Sequence, residues 1–206
     1  MANRKKPKPE AASEPFVIYP PGSRIGIAWG NGTDAAPEDY AGFHTYLASQ
    51  GIVVAAATTG SAANGDAIIA AAEELRALGC TRILAVGHSQ GAGGALRAAR
   101  RSSLITAIIP ICVNPDFSGS LPVCPAFFIT GSADRVSPPP KVQLLVARYP
   151  GAAVHGTRLG MNHYGPTGAA TAIRKYVAAY ILDSTGDEFD RIFSDRNWKT
   201  TSQPAD

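Results

Sequence analysis

A serine flanked by two glycines is the part of the sequence most suited to covalent chemistry. Residues 87–91 read Gly-His-Ser-Gln-Gly, after an apolar run and before an alanine-rich one. A G-x-S-x-G pattern between a strand and a helix is typical of a sharp turn that exposes a serine hydroxyl, and the helix N-terminus favours developing negative charge. We predict Ser89 as a nucleophile. Gly93 and Gly94 are expected to let the helix pack tightly on the sheet.

A serine hydroxyl needs a neighbouring base, and four histidines are candidates. We predict His163, which lies in a loop between the last predicted strand and the long helix after it. His44 falls inside an apolar helical pattern and His155 inside a predicted strand, so both are interpreted as structural. The side chain of His88 is expected to point away from the turn.

The base needs a carboxylate to fix its tautomer and stabilise its cation. Asp134 follows the apolar segment 126–130 and is the predicted acid, with Asp116 as the reserve candidate. Serine, aspartate and histidine then occur in the chain order expected of an α/β-hydrolase.

Acyl transfer also needs donors for an oxyanion. We assign these to the backbone N–H of Gln90, directly after the nucleophile, and to that of Asn31 in the glycine-containing segment 29–33. Gly30 and Gly32 remain alternatives for the second donor. No set of His, Cys and carboxylate residues has the spacing of a metal site, so no metal is expected.

Alternating strand and helix patterns must position these residues. The predicted strands are Phe16–Tyr19, Arg24–Trp29, Ile52–Ala57, Arg82–Val86, Ile105–Pro110, Ala126–Thr130 and Ala153–Thr157. The predicted helices are Glu38–Gln50, Asp66–Leu78, Gln90–Arg101, Pro140–Ala147, Thr167–Leu182 and Asp187–Ser194. Asp66 is expected to cap its helix, and Gly79 to end it.

This alternation predicts an α/β fold with a mostly parallel, doubly wound sheet. The continuously apolar strands are typical of a parallel sheet buried on both faces. Residues 16–206 are expected to form one α/β-hydrolase domain without a lid, with the ligand at the carboxyl ends of the strands.

Composition excludes several classes of function. Residues 1–15 contribute +2 of the net charge of +3 and are interpreted as a disordered basic tail. The rest of the chain shows no cluster of Lys and Arg residues that would indicate nucleic-acid binding. No apolar run is long enough to span a membrane. No signal peptide is recognised, which indicates a cytoplasmic protein or a secreted one without its signal. The oligomeric state is left open.

The three cysteines, Cys80, Cys112 and Cys124, form no disulfide framework. We expect buried free thiols, with a Cys112–Cys124 bridge as the alternative.

From residue 16 to 193 the chain resembles the bacterial cutinases and polyester (PET) hydrolases, within the dienelactone-hydrolase-like group. The resemblance rests on the glycine-containing early loop, residues 47–54, the Ser89 turn, and the Asp134 and His163 loops. It implies an esterase that needs no metal or organic cofactor, has an open cleft, and has Asn31 and Gln90 in its oxyanion hole.

Three features depart from that family: the chain has no evident signal, no cysteine follows Cys124, and Val113 occupies the position of a characteristic Trp. A Ser nucleophile also argues against a dienelactone hydrolase, which usually has a Cys.

The sequence therefore predicts a serine-dependent carboxylic ester hydrolase acting on short-chain esters and, as a further expectation, on polyesters. Val113, Val136 and Tyr164 are the predicted substrate-binding residues. A Trp at position 113 is expected to raise activity on polymers. The alternatives are a small-molecule carboxylesterase without polymer activity and an inactive hydrolase-like binding protein.

Overall fold

The computed structural model describes residues 16–18, 23–56, 62–167 and 173–205, so the predicted tail at 1–15 lies outside the described residues. The chain folds into an α/β structure around one eight-stranded sheet. The strands are β1 (Phe16–Ile18), β2 (Ile25–Gly30), β3 (Val53–Ala56), β4 (Arg82–His88), β5 (Ile105–Ile111), β6 (Ala126–Gly131), β7 (Ala153–Arg158) and β8 (Trp198–Gln203).

Helices cover both faces of the sheet. They are α1 (Ala41–Ser49, after a 3₁₀ turn at Pro37–Tyr40), α2 (Asp66–Ala77), α3 (Gln90–Arg101), α4 (Pro139–Ala147), α5 (Arg174–Leu182) and the short α6 (Asp187–Asp190, followed by a 3₁₀ turn at Arg191–Phe193). Buried residues of α1, α5 and α6 belong to one core and those of α2, α3 and α4 to the other. This arrangement is compatible with the predicted doubly wound sheet.

The strand order is β1-β3-β2-β4-β5-β6-β7-β8. Strands β3 to β7 in this order are parallel neighbours, whereas β1 and β8 are antiparallel at the two edges. The chain reverses its direction of winding at the β2–β4 pair, where Gly30 and Gly87 are in register. Ligands of open α/β sheets bind outside the strand ends at such a switch point.

Alternate residues of the central strands supply the two cores. In β4, Leu84 and Val86 face the α1 side, and Ile83 and Ala85 face the α2 side. All four are buried, as predicted from the continuously apolar sequence, because a parallel strand between two helix layers has no solvent face.

Most predicted elements are confirmed within two residues of their ends. Strand β8 was not predicted, although its Trp-Lys-Thr-Thr run has strand propensity. Helix α5 begins at Arg174 rather than at Thr167, and residues 168–172 of the predicted helix lie outside the described residues.

The two ends of α2 had different outcomes. The capping role predicted for Asp66 is wrong: Gly65 occupies the cap, and the Asn64 side chain accepts from the Asp66 N–H at 3.0 Å. Gly79 ends the helix as predicted, with φ +91°. The N–H groups of Gly79 and Cys80 donate to Arg76 and Leu75 at 3.0 Å each, which is the Schellman pattern.

The connection between β5 and β6, residues 112–125, is described throughout and contains no helix. No lid therefore arises from this segment, which borders the end of β4. Among the described residues, no helix has the length and apolar character needed to cross a bilayer.

His44 is a buried titratable group of the core, as its apolar pattern predicted. Its ring packs edge-on against Trp29 at 4.7 Å, and neither ring nitrogen has a hydrogen-bond partner among the described residues. Burial lowers the pKa of His44 to about 3, because the cation would lose its hydration without gaining an acceptor.

We expect His44→Phe to flatten the pH dependence of stability. In the parent, the unfolded chain protonates His44 below about pH 6.5 while the folded chain does so only near 3. The unfolded state therefore binds the extra proton, and stability is lost as the pH falls through this window. Removing the imidazole should reduce the slope of unfolding free energy between pH 6 and 4 by about 1.4 kcal/mol per pH unit.

Urea unfolding at a series of pH values measures this slope. Phe43→Leu is the matched control, since it alters the same core without removing a titratable group and should shift stability equally at every pH. An unchanged slope in His44→Phe would contradict the assignment.

Candidate active site

Ser89 lies in a strained turn between β4 and α3. Its backbone adopts φ +53° and ψ −113°, a conformation that L-residues rarely take. The Ser89 N–H donates to the Ile111 carbonyl oxygen at 2.8 Å, which ties the turn to the end of β5. A Cβ atom on Gly87 would overlap the carbonyl of Gly91. Only glycine permits this close approach.

The segment after β2 lies directly against the same turn. A Cβ atom on Gly91 would overlap the carbonyl of Gly30 and lie 2.5 Å from the carbonyl oxygen of Asn31. The roles predicted for Gly93 and Gly94 are only partly right. A Cβ on Gly94 would overlap the Ala62 carbonyl, in the loop before α2, whereas Gly93 faces the side chains of Arg97 and Phe117.

The three residues predicted as a triad form one hydrogen-bonded array. His163 Nε2 lies 2.9 Å from Ser89 Oγ, and His163 Nδ1 lies 2.9 Å from Asp134 Oδ2. Because an ionised carboxylate only accepts, Nδ1–H is the donor to Asp134 and Nε2 can accept the serine proton. This is the tautomer that a general base needs.

The carboxyl group of Asp134 is buried and heavily hydrogen-bonded. Oδ1 accepts from the N–H groups of Val136 and Ser137 at 2.8 Å each, and the Cys112 thiol is a further donor. Burial by itself raises the pKa of Asp134, but the hydrogen bonds from His163, Ser137 and Cys112 outweigh it, and the pKa is lowered. The group is therefore held as a carboxylate beside the imidazole.

Loop packing fixes the distance between Asp134 and His163. The Ala133 N–H donates to the Met161 carbonyl oxygen at 2.9 Å, and a Cβ atom on Gly131 would overlap the same carbonyl. The loops that carry Asp134 and His163 are thus in direct backbone contact. Met161 itself is buried in the core.

The prediction that His88 points away from the site is wrong. Its Nε2 lies 2.8 Å from the carbonyl oxygen of His163, and its Nδ1 lies 2.8 Å from the Tyr40 hydroxyl. The Tyr40 oxygen accepts in turn from the Gly32 N–H at 3.0 Å. Since a carbonyl only accepts, Nε2 carries the proton and Nδ1 accepts from Tyr40.

This chain of hydrogen bonds connects the loop after β2 with the backbone of the base. Burial is the main reason that the pKa of His88 is lowered to about 4. Burial is also the main reason that the pKa of Tyr40 is raised to about 12. Both groups are therefore neutral near pH 7, as their donor and acceptor roles in these hydrogen bonds require. No local sequence pattern predicts these hydrogen bonds, because His88 is 48 residues from Tyr40 and 75 residues from His163 in the sequence.

The oxyanion donors predicted from sequence lie at the turn. Gln90 is the first residue of α3, so its N–H has no acceptor within the helix. Asn31 is buried beside Gly91. Gly32, one of the alternatives, donates its N–H to the Tyr40 hydroxyl, which argues against it as the second donor.

The predicted substrate-binding residues fall in different environments. Val136 and Tyr164 are 62% and 69% exposed and line a cavity of about 250 Å³ together with Ser89 and His163. Val113 is fully buried in the core that contains α2, α3 and α4, so its predicted role is wrong. A Trp at this position would overpack that core rather than widen an apolar cleft.

A second cavity, of about 300 Å³, meets Ser89 from the side of α3. Its walls combine polar and apolar surface, and the polar side chains among them are those of Gln90, Arg97, Asn114, Asp116 and Ser118. Asp116, the reserve candidate for the acid, is exposed at this cavity, whereas Asp134 holds His163. The reserve assignment is therefore wrong.

The remaining candidate chemistry is thiol and metal chemistry. Cys80, Cys112 and Cys124 are free thiols, so the alternative Cys112–Cys124 bridge is wrong. Cys80 and Cys112 are buried as expected, whereas Cys124 is only half-buried. Ligand atoms of His88, Cys112 and His163 lie within 4.8 Å of one another. Each of these groups is already hydrogen-bonded within the site, so an ion here would have to take His163 from Asp134 and Ser89.

The chain matches no model of a known protein family, and no curated protein resembles it significantly in sequence.

Tyr40→Phe tests whether the hydrogen-bonded chain positions the base. The substitution keeps the ring but leaves the Gly32 N–H and His88 Nδ1 without their partner, which should cost about 1–3 kcal/mol of stability. Displacement of the His163 backbone should slow reaction of Ser89 with a fluorophosphonate probe about tenfold in the folded protein.

The labelling rate, normalised to folded protein by circular dichroism, is the measurement. Tyr46→Phe serves as control, because Tyr46 lies in α1, directly after the 3₁₀ turn that ends at Tyr40, and does not line the cavity at Ser89. Its ring lies under the guanidinium of Arg174 at 4.7 Å. Equal labelling rates in Tyr40→Phe and in the parent would contradict a positioning role.

Proposed function

We propose that the protein is a serine-dependent carboxylic ester hydrolase with the α/β-hydrolase fold. The observation that carries this proposal is the continuous array of Ser89 Oγ, His163 and Asp134, with both contacts at 2.9 Å. Each member follows a different parallel strand, and the serine lies at the topological switch point. Nucleophile, base and oriented acid in this geometry are the requirements of acyl transfer.

Acylation would begin with attack of Ser89 Oγ on the ester carbonyl carbon while His163 Nε2 takes the hydroxyl proton. The carbonyl oxygen becomes an oxyanion, for which the N–H groups of Gln90 and Asn31 are the proposed donors. When the tetrahedral species collapses, the C–O bond to the alcohol breaks. His163 gives the proton to the alkoxy oxygen. The alcohol then departs, and the acyl group remains bound to Ser89 Oγ.

Deacylation repeats these steps with water as the nucleophile. His163 accepts a proton from water, whose oxygen attacks the acyl carbon, and then returns the proton to Ser89 Oγ as the acid leaves. Throughout, Asp134 remains ionised and stabilises the imidazolium. The pKa of Asp134 is lowered because hydrogen bonds outweigh the effect of burial, which suits this role.

The structure of the segment after β5 supports small soluble esters as the first class of substrate. The segment 112–125 carries no helix that could act as a lid. The exposed apolar rim is supplied by Val136 and Tyr164. Polyester cleavage is a narrower part of the proposal. Because Val113 is buried, it does not offer the polymer-binding surface that the sequence had predicted.

Two alternatives remain to be separated by experiment. An inactive hydrolase-like binding protein would not activate Ser89, so it would not react with a fluorophosphonate. A carboxylesterase without polymer activity would cleave p-nitrophenyl esters but release no product from polyester film.

Ser89→Ala should abolish ester hydrolysis while the protein stays folded. The hydroxyl supplies the covalent step, so p-nitrophenyl butyrate turnover should fall by at least about 10³-fold. His163→Ala should be about as damaging, because the two residues act as a unit. Ser49→Ala is the control, since Ser49 is exposed and its hydroxyl contacts only the Tyr46 carbonyl oxygen and the Gln50 side chain among the described residues. Full activity in Ser89→Ala would refute the assignment.

Short esters should be preferred over long ones. In an open cleft, each added methylene should gain less than the about 0.8 kcal/mol of complete burial. The measurement is kcat/KM for p-nitrophenyl esters from acetate to laurate, with the best values at four carbons or fewer. A maximum at twelve carbons, or a rise in rate when the substrate passes its solubility limit, would contradict the open-cleft model.

A further inference from the structure

Ser89 lines two cavities, and the chemistry of the proposed ester hydrolysis assigns one half of the substrate to each. One cavity also contains His163, and the other contains Gln90 and Arg97 but not His163. Because His163 must return its proton to the alkoxy oxygen, the alcohol half has to lie on the His163 side. The acyl half then extends into the cavity beside α3.

The walls of the acyl-side cavity are suited to a polar group. Arg97 is held there by two contacts: its Nη1 donates to the Ala63 carbonyl oxygen at 2.8 Å, and its guanidinium lies 4.6 Å above the ring of Phe117. Asn114 and Ser118 are exposed at the same cavity. An unsubstituted acyl chain would meet Ala63, Gly93 and the Phe117 ring, but it would leave the hydrogen-bonding groups of the other side chains without a partner.

The charges of the cavity narrow the choice of polar group. Arg97 and Asp116 both line it, and within the described part of the chain no ion pair joins them. A carboxylate on the acyl chain would be attracted by Arg97 and repelled by Asp116. A hydroxyl group can accept from the guanidinium and donate to the carboxylate, so it satisfies both.

We propose that this cavity selects esters of short hydroxy acids, with Arg97 and Asp116 as partners of the acyl-chain hydroxyl. The inference rests on the proposed ester hydrolysis and adds the class of acyl group. A site built to hydrogen-bond a substrate hydroxyl discriminates against the analogue that lacks it, because its polar groups are then left without a partner.

The test compares ethyl 3-hydroxybutyrate with ethyl butyrate, which share the alcohol and the carbon chain and differ by one hydroxyl. We expect kcat/KM in the parent to favour the hydroxylated ester by at least about tenfold. Arg97→Met, which keeps the stem over Phe117, should lower this ratio at least about fivefold. Asp116→Leu, at an exposed position, should lower it in the same direction and tests the cavity independently of Arg97.

Arg100→Met is the matched control, because Arg100 is exposed on the same helix and lines neither cavity. Its ratio should equal that of the parent. A parent that cleaves both esters equally, or a ratio unaffected by Arg97→Met and Asp116→Leu, would overturn the inference and leave ester hydrolysis standing. If neither ester is cleaved and Ser89 does not react with a fluorophosphonate, the proposed function fails as well.

Discussion

The backbone turn at Ser89 is the constraint on which the rest of the site depends. The chain passes from β4 into α3 through one residue with positive φ, and the two elements approach so closely that side chains at 87 and 91 would overlap backbone. The loop after β2 packs against the same point. In consequence the hydroxyl stands clear of the sheet above the first turn of a helix, where developing negative charge is favoured.

A buried carboxylate imposes the second constraint. Asp134 can remain ionised away from water only because donors from several segments surround it. They come from the end of β5 through Cys112, from its own loop through Val136 and Ser137, and from the loop after β7 through His163. The strand ends are thereby joined by polar contacts as well as by the sheet, which favours a fixed geometry for the base.

Much of this could be predicted from sequence, because the signals are local. Continuous apolar runs predicted parallel strands buried on both faces. The helical patterns between those runs predicted helices that cover the sheet on either side. The glycine pattern around Ser89 specifies a turn within five residues. Asp134 and His163 follow strands directly, and parallel strands bring such positions to one edge. Chain order and element type therefore determined the identity of the three central residues.

Other features were decided only by tertiary structure, because they depend on which distant segments meet. Whether Val113 faces the cleft or the core follows from how the chain leaves β5, and no local periodicity encodes it. The contacts of His88 with Tyr40 and with His163 join residues far apart in sequence. The two unlike cavities at Ser89 likewise exist only after the loops have packed. The sequence by itself determined which residues we propose as nucleophile, base and acid, whereas packing decided the contacts that orient their side chains and the cavities that surround them.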